Sequence, residues 1–267
     1  MEKLQAALAN ARKARGSNTS SPLQSRPKRR VSHSVMLDQK WEELRPFTPS
    51  ASVMTKHRIV TNEATEAATP FDILRTKILL QMKENGWTRL AVTSPMPSAG
   101  KTTTSCNLAL GLGRQKELRS MLFDLDLRDP SVHSFFEQQP NKSIGSLLQG
   151  NAMFQEQALR VGSNVAISMA SYAERDPTRL LLSEDSRDKL DEIQEEFEPD
   201  LMIFDLPSVL VGDDTRAFLK NVDCALIVVR AGMTRYGQFD VCEQEVAEQT
   251  NVLGVVVNAV QQYQLQT

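Results

Sequence analysis

After residue 87 the chain returns repeatedly to short, apolar runs: TRLAVTS, SMLFDLD, NVAISMA, LMIFDLP, CALIVVR and VLGVVVNAV. A strand that is apolar along its whole length is covered on both faces, whereas a half-wet strand alternates. Between several of these runs lie segments of helical spacing, such as SRDKLDEIQEEFE with Leu190, Ile193 and Phe197. FDILRTKILLQMKENG, ahead of the first run, reads the same way, with Ile73, Leu74, Ile78 and Met82 on one face and Gly86 as a stop signal. Doubly covered strands alternating with helices need a mostly parallel sheet with helices on both faces. The expected fold is therefore one doubly wound α/β domain over residues 60–267, with no internal repeat.

In such a sheet, ligands bind beyond the carboxyl ends of the strands. TRLAVTS leads at that point into SPMPSAGKTTT, and a helical segment, TTTSCNLALGLGRQ, follows. The stretch ends like a phosphate-binding loop, G-x-x-x-x-G-K-[ST], with Pro95 in place of the first glycine. That chemistry needs backbone N–H groups turned onto phosphate oxygens, a helix N-terminus, a cation and a hydroxyl for Mg²⁺. Ser98, Ala99, Gly100 and Thr103 would belong to the cradle, with Lys101 as the cation and Thr102 as the hydroxyl. The plain alternative is a helix start capped by Ser98, with Lys101 in solvent.

A nucleotide loop also needs carboxylates for Mg²⁺ and a base for an attacking hydroxyl. MLFDLDLRDP places Asp124 and Asp126 at the end of the second run, two apart and so on one face of a strand. LMIFDLPS ends another run in Asp205. One aspartate at a strand end is more often a turn or a cap. Three on the rim that carries Lys101 and Thr102 point to a metal–nucleotide site.

Ahead of the domain, EKLQAALANARKAR has helical spacing, and GSNTSSPLQSRPKRRVSHS is too polar to bury much surface. Residues 1–59 are thus expected to hold an N-terminal helix and a basic, largely disordered linker, with residues 36–60 open to the alternative that Trp41, Leu44 and Phe47 pack onto the domain. Residues 1–58 carry 12 Lys/Arg against 4 Asp/Glu, and the remainder 19 against 29. A basic tail on an acidic domain suits an acidic partner surface or simple solvation. No apolar run approaches the roughly 20 residues of a membrane span, and none at the N-terminus resembles a signal peptide. Three cysteines without ligand spacing fit reduced thiols, so a cytoplasmic location is expected.

From about Pro70 to Val260, these pieces in this order resemble the bacterial tyrosine kinases (BY-kinases) of capsular and exopolysaccharide synthesis, relatives of the MinD/ParA-type ATPases. VTSPMPSAGKTTTSCNLAL resembles their Walker A segment, MLFDLDLRDP Walker A′ and LMIFDLPS Walker B. DPTRLLLSE, VDCALIVVRAGMTR and VLGVVVNAV resemble the segments that follow. The resemblance implies an ATP- and Mg²⁺-dependent protein-tyrosine (auto)kinase. In it Lys101, Asp124, Asp126 and Arg128 form the catalytic set, Thr102, Asp124 and Asp205 organise Mg²⁺, and Asn258 lies near the adenine. It also implies a membrane-bound polysaccharide chain-length regulator as partner, recruitment to the inner face of the membrane, homo-oligomeric assembly and no nucleic-acid partner.

The chain departs from that pattern in places. Ser98 stands where relatives carry glycine, and a positive φ there would cost about 1 kcal/mol. Ser208 replaces a proline in Walker B. Thr69 and Asp72 replace a Glu and an Arg used in ring packing, with Arg75 kept. In place of a tyrosine-rich tail the sequence has VQQYQLQT, leaving Tyr263 as the candidate acceptor, with Tyr172 and Tyr236 expected to be packed in the domain. A MinD/ParA-type ATPase switch and a nucleotide-binding scaffold are the competing readings.

Overall fold

All six apolar runs are strands, and all six run in the same direction. A computed structural model describes residues 28–260, so the proposed helix at residues 2–15 and Tyr263 lie outside the described residues. The eight strands are β1 (Arg45–Phe47), β2 (Arg89–Thr93), β3 (Ser120–Asp124), β4 (Leu159–Val161), β5 (Val165–Ser168), β6 (Leu201–Asp205), β7 (Cys224–Arg230) and β8 (Asn251–Asn258). They form one sheet in the order β1-β4-β5-β3-β6-β2-β7-β8, parallel at every pairing except β4–β5. The described helices of twelve or more residues are α1 (Lys28–Glu43), α2 (Thr69–Asn85), α3 (Lys101–Leu112), α4 (Glu184–Phe197) and α5 (Tyr236–Ala247).

Two apolar layers cover the sheet. One joins Phe123, Phe204 and Phe218 to residues of α1, α4 and α5, with the rings of Phe123 and Phe204 stacked at 5.1 Å. The other joins Leu90, Val92 and Leu122 to Ile78 and Met82 of α2 and to Cys106, Leu108, Ala109, Leu110 and Leu112 of α3. Helix α3 is buried along nearly its whole length, its apolar second half in the core and its polar first half, Lys101 to Ser105, beneath the loop. Helix α2 ends on Gly86 in the left-handed region (φ 69), as the stop signal required. Its buried stripe is narrower than the spacing suggested, because Ile73 faces solvent.

The chain divides into residues 1–36 and a second unit, Leu37–Thr267. Within the second unit, structure begins well before residue 60. β1 adds an edge strand beside β4, and α1 covers part of the stretch read as linker. Trp41 is 2% exposed, meets Phe197 edge-on and donates its indole N–H to the Phe197 carbonyl at 2.9 Å. Trp41→Ala is expected to cost about 3–5 kcal/mol by urea unfolding. A loss below about 1 kcal/mol would mean that α1 is dispensable to the domain.

Candidate nucleotide site

The segment after β2 turns sharply because two of its residues sit at positive φ, Ser98 at 61° and Gly100 at 97°. Gly100 is the N-cap of α3 and its carbonyl accepts the Thr104 N–H, so the loop feeds directly into a helix N-terminus. Two residues from the far strands hold the loop in place. Arg230, at the end of β7, donates to the Ser98 carbonyl at 2.8 Å, and Asn258, at the end of β8, donates to the Ala99 carbonyl at 2.9 Å. Ser98 thus adopts the conformation that glycine favours. Ser98→Gly is expected to stabilise the fold by about 0.5–1 kcal/mol in thermal unfolding. The relieved strain of about 1–2 kcal/mol exceeds glycine's entropic cost of about 0.5–1 kcal/mol.

Lys101 opens α3 and is only 9% exposed, with its Nζ 3.3 Å from the Ser208 hydroxyl. Ser98 is no helix cap and Lys101 is no solvated surface residue. Beneath the loop, Asp124 and Asp205 are direct register partners on β3 and β6, both fully buried. Asp205 accepts from Thr102 Oγ1 at 2.6 Å and from Ser105 Oγ at 2.9 Å. Asp124 Oδ2 accepts the Val132 N–H at 3.1 Å, while its Oδ1 is buried with no partner. Burial pushes the Asp205 carboxyl up to about 6 despite Lys101 and the two hydroxyls. Burial, reinforced by the Asp205 charge, holds Asp124 well above the ordinary carboxylate range.

A cleft of about 520 Å³ opens above this pair, lined by Ser98, Gly100, Lys101, Thr102 and Thr103 on one side. Asp126, Arg128, Ser208 and Arg230 line it too. Strand β3 ends at Asp124, so alternation does not carry Asp126 with it; Asp126 stands in the following loop, half-buried at the cleft wall. Its carboxyl is raised by burial, with Lys101 acting the other way. Arg128 reaches the cleft but is tied bidentately to the buried Asp214. Asn258 does not line the cleft; it braces the loop from behind. Ser105, Ser131 and Arg230 were not singled out from the sequence, and Ser208 was noted only as a departure from the family pattern. Ser105 could have been found, since it lies three residues after Thr102 on the same face of α3.

The arrangement suits a divalent metal beside polyphosphate. It offers a hydroxyl, two carboxylates of which one has an orphaned oxygen, and a cation at a helix N-terminus. Among the described residues no group of three or more His, Cys, Asp or Glu could hold a metal alone. Mg²⁺ bound through one or two carboxylates and substrate phosphate needs no such group.

A sequence model of the CobQ/CobB/MinD/ParA nucleotide binding domain matches residues 90–266, well over half of the chain. The chain belongs to that family. Within its reach, tyrosine-protein kinase YwqD of Bacillus subtilis is 26% identical over 188 residues, covering 69% of this chain and 78% of YwqD. EpsB of Ralstonia solanacearum is 27% identical over 188 residues, covering 70% of this chain but 25% of EpsB. The chain thus spans about a quarter of the length of the first curated relatives it matches. Among solved structures, the kinase domain of the Escherichia coli tyrosine kinase ETK superposes with a TM-score of 0.68 at 22% identity, covering 81% of this chain and 91% of that one. That likeness is one of fold.

The tyrosines differ from expectation. Tyr172 is 55% exposed and Tyr236 81% exposed, so neither is a packing residue. Arg75 donates to the Gly111 carbonyl at 2.8 Å and pairs with Asp72 at 2.9 Å, both within the subunit. No described helix is long and apolar enough to cross a membrane.

Proposed function

We propose that this protein is an ATP-dependent protein-tyrosine kinase acting in exopolysaccharide or capsule synthesis. The observation that carries the reading is the buried Asp124–Asp205 pair in register beneath Lys101 and Thr102, with one carboxylate oxygen unpartnered. The YwqD name and the wider family resemblance support tyrosine as the acceptor class.

The residues fit Mg²⁺, with Thr102, Asp124 and Asp205 as the groups that would hold it directly or through water. When bound, the metal would neutralise charge on the transferred phosphoryl group. Lys101 and the Ser98–Thr103 amides bind the phosphates, and the loop anchors Arg230 and Asn258 keep those amides aimed. A place for Asn258 near the adenine rests on the family resemblance alone. Asp126 takes the proton of the attacking tyrosine hydroxyl, its raised pKa suiting it as base. Arg128, fixed by Asp214, steadies the wall on which the acceptor lies.

The protein would work in the cytoplasm beside a membrane-bound chain-length regulator, and as a homo-oligomer. The basic excess of residues 1–58 would serve docking to that partner, while the kinase domain takes in the folded unit from Leu37 onward. An ATPase switch of the MinD/ParA type is the second reading, favoured by the family match itself, which such switches share.

The test is phosphotyrosine mapping by mass spectrometry after incubation with Mg-ATP, alone and with the partner's cytosolic tail. Lys101→Met is expected to abolish Mg-ATP binding by calorimetry and all phosphotyrosine. ATP hydrolysis that persists without any phosphotyrosine would replace the kinase with the switch.

A further inference from the structure

Exposed tyrosines in a tyrosine kinase raise the matter of what surrounds them. Tyr236 heads α5 on an open surface. Tyr172, in the segment after β5, instead walls a cleft of about 610 Å³ together with Arg175, Arg179 and Asp176. The guanidinium groups of Arg175 and Arg179 have no ion-pair or hydrogen-bond partner among the described residues. The acidic groups of the cleft stand apart from them in role. Asp176 accepts the Arg179 backbone N–H and caps the turn at Pro177–Leu181. Glu174 lies against Gly145, where a Cβ would come within 1.9 Å of its Oε1. Asp185 sits in the first turn of α4, where the helix dipole favours it.

This cleft and the phosphate cleft each share lining residues with a third groove. That shallower groove shares Arg128 with the phosphate cleft and shares Asp176, Arg179 and Ser183 with the Tyr172 cleft. The Glu174 N–H also donates to the Leu127 carbonyl at 2.8 Å, between Asp126 and Arg128.

We propose that Tyr172 is a phosphorylation site of this protein, modified by a second copy, with Arg175 and Arg179 seating the phosphate. The proposal rests on the kinase reading above. The Tyr172 oxygen bonds to the γ-phosphorus of ATP, the bond from that phosphorus to the β,γ-bridging oxygen breaks, ADP leaves, and the phenolic proton passes through the base to solvent. The product carries between about −1.5 and −2 charges at neutral pH, placed beside two unpaired cations. Transfer occurs between copies because Tyr172 walls a cleft that Lys101 does not line, and the phosphate cleft does not include Tyr172. Glu174, two residues after Tyr172, is the residue hydrogen-bonded to the Asp126–Arg128 segment, so modification would act on the catalytic wall through this short stretch of backbone.

The experiment mixes active full-length protein with a full-length Lys101→Met acceptor and Mg-ATP, then maps phosphotyrosine on the acceptor. Phosphate at Tyr172, lost from a Lys101→Met/Tyr172→Phe acceptor, is expected. Phosphate on Tyr236 or Tyr263 with none on Tyr172 overturns this proposal and leaves the kinase reading standing. Retained Mg-ATP binding with no phosphotyrosine anywhere, on either chain or on the partner tail, overturns both. A second measurement addresses the seat. Phosphotyrosine 172 in the Arg175→Ala/Arg179→Ala protein is expected to be cleaved about tenfold faster by an added tyrosine phosphatase than in the unaltered protein. Equal rates would overturn the role of the two arginines.

Discussion

Asp124→Asn is expected to make the nucleotide-free protein more stable at neutral pH and the enzyme between about a hundredfold and a thousandfold slower. Both effects have one cause. Asp124 and Asp205 face each other in register inside the sheet, and Asp124 Oδ1 has no donor. An amide removes one of two like charges from a buried site, relieving about 2 kcal/mol. For a domain of this size that raises the thermal midpoint by about 5 °C. The pH dependence follows the same logic. Both carboxyls have folded pKa values raised above their unfolded values, so their contribution to stability is full at low pH and lost as pH rises through the folded pKa. For Asp205 that loss runs from about 4 to about 6, and for Asp124 it continues higher. The midpoint of the nucleotide-free protein should therefore fall with rising pH across this range, and Asp124→Asn should flatten the fall. Metal affinity has the opposite slope, since the ligands must be deprotonated. Scanning calorimetry at several pH values, with and without Mg-ATP, checks each part. A variant less stable than its parent at pH 7.5 would show that Asp124 is held by donors and is not waiting for a cation.

How much of this could be read in the sequence depends on the range of the interaction concerned. The six parallel strands were legible because each is apolar on both faces, a signal contained in the strand itself. β1 and β4 were not, because three residues each, one of them Pro46, carry no pattern. The apolar residues Trp41 and Leu44 beside them were legible as candidates for packing onto the domain, but the strand pairing they accompany only the tertiary fold displays. In the site, Lys101, Thr102, Asp124 and Asp205 were legible from their places at strand ends and at a helix start. Ser208 and Arg230 were not, although they lie at the same rim. Their roles come from backbone and side-chain atoms more than 100 residues away in the chain: Ser208 beside Lys101, Arg230 on the Ser98 carbonyl. The tyrosines show a third case. Their exposure depends on which side of a loop is left uncovered, and composition says nothing about that.

Gly100→Ala is expected to weaken Mg-ATP binding about a hundredfold, more than any other single change in the loop that leaves its charge alone. Two independent obstacles meet at this residue. Its φ of 97° lies in the region that L-residues avoid, at a cost of about 1–2 kcal/mol. Its would-be Cβ also falls 2.0 Å from the Asn258 amide nitrogen. A flexible neighbour could swing away from such a contact, but Asn258 cannot do so freely. Its Nδ2 holds the Ala99 carbonyl at 2.9 Å and its Oδ1 accepts the Ala259 N–H at 2.8 Å. Moving it forfeits two hydrogen bonds of about 1 kcal/mol each, and with them the brace that aims the loop amides. Together the costs come to about 3 kcal/mol, which is a hundredfold in an equilibrium constant. The single variant Asn258→Gly separates the two obstacles. It forfeits the brace and its two hydrogen bonds but leaves the Gly100 backbone unstrained, so it should weaken binding by about thirtyfold by calorimetry, and adding Gly100→Ala to it should cost only the backbone strain, about fivefold more. Unchanged binding in Asn258→Gly would assign the whole loss to φ and would make Asn258 a bystander to the loop it touches.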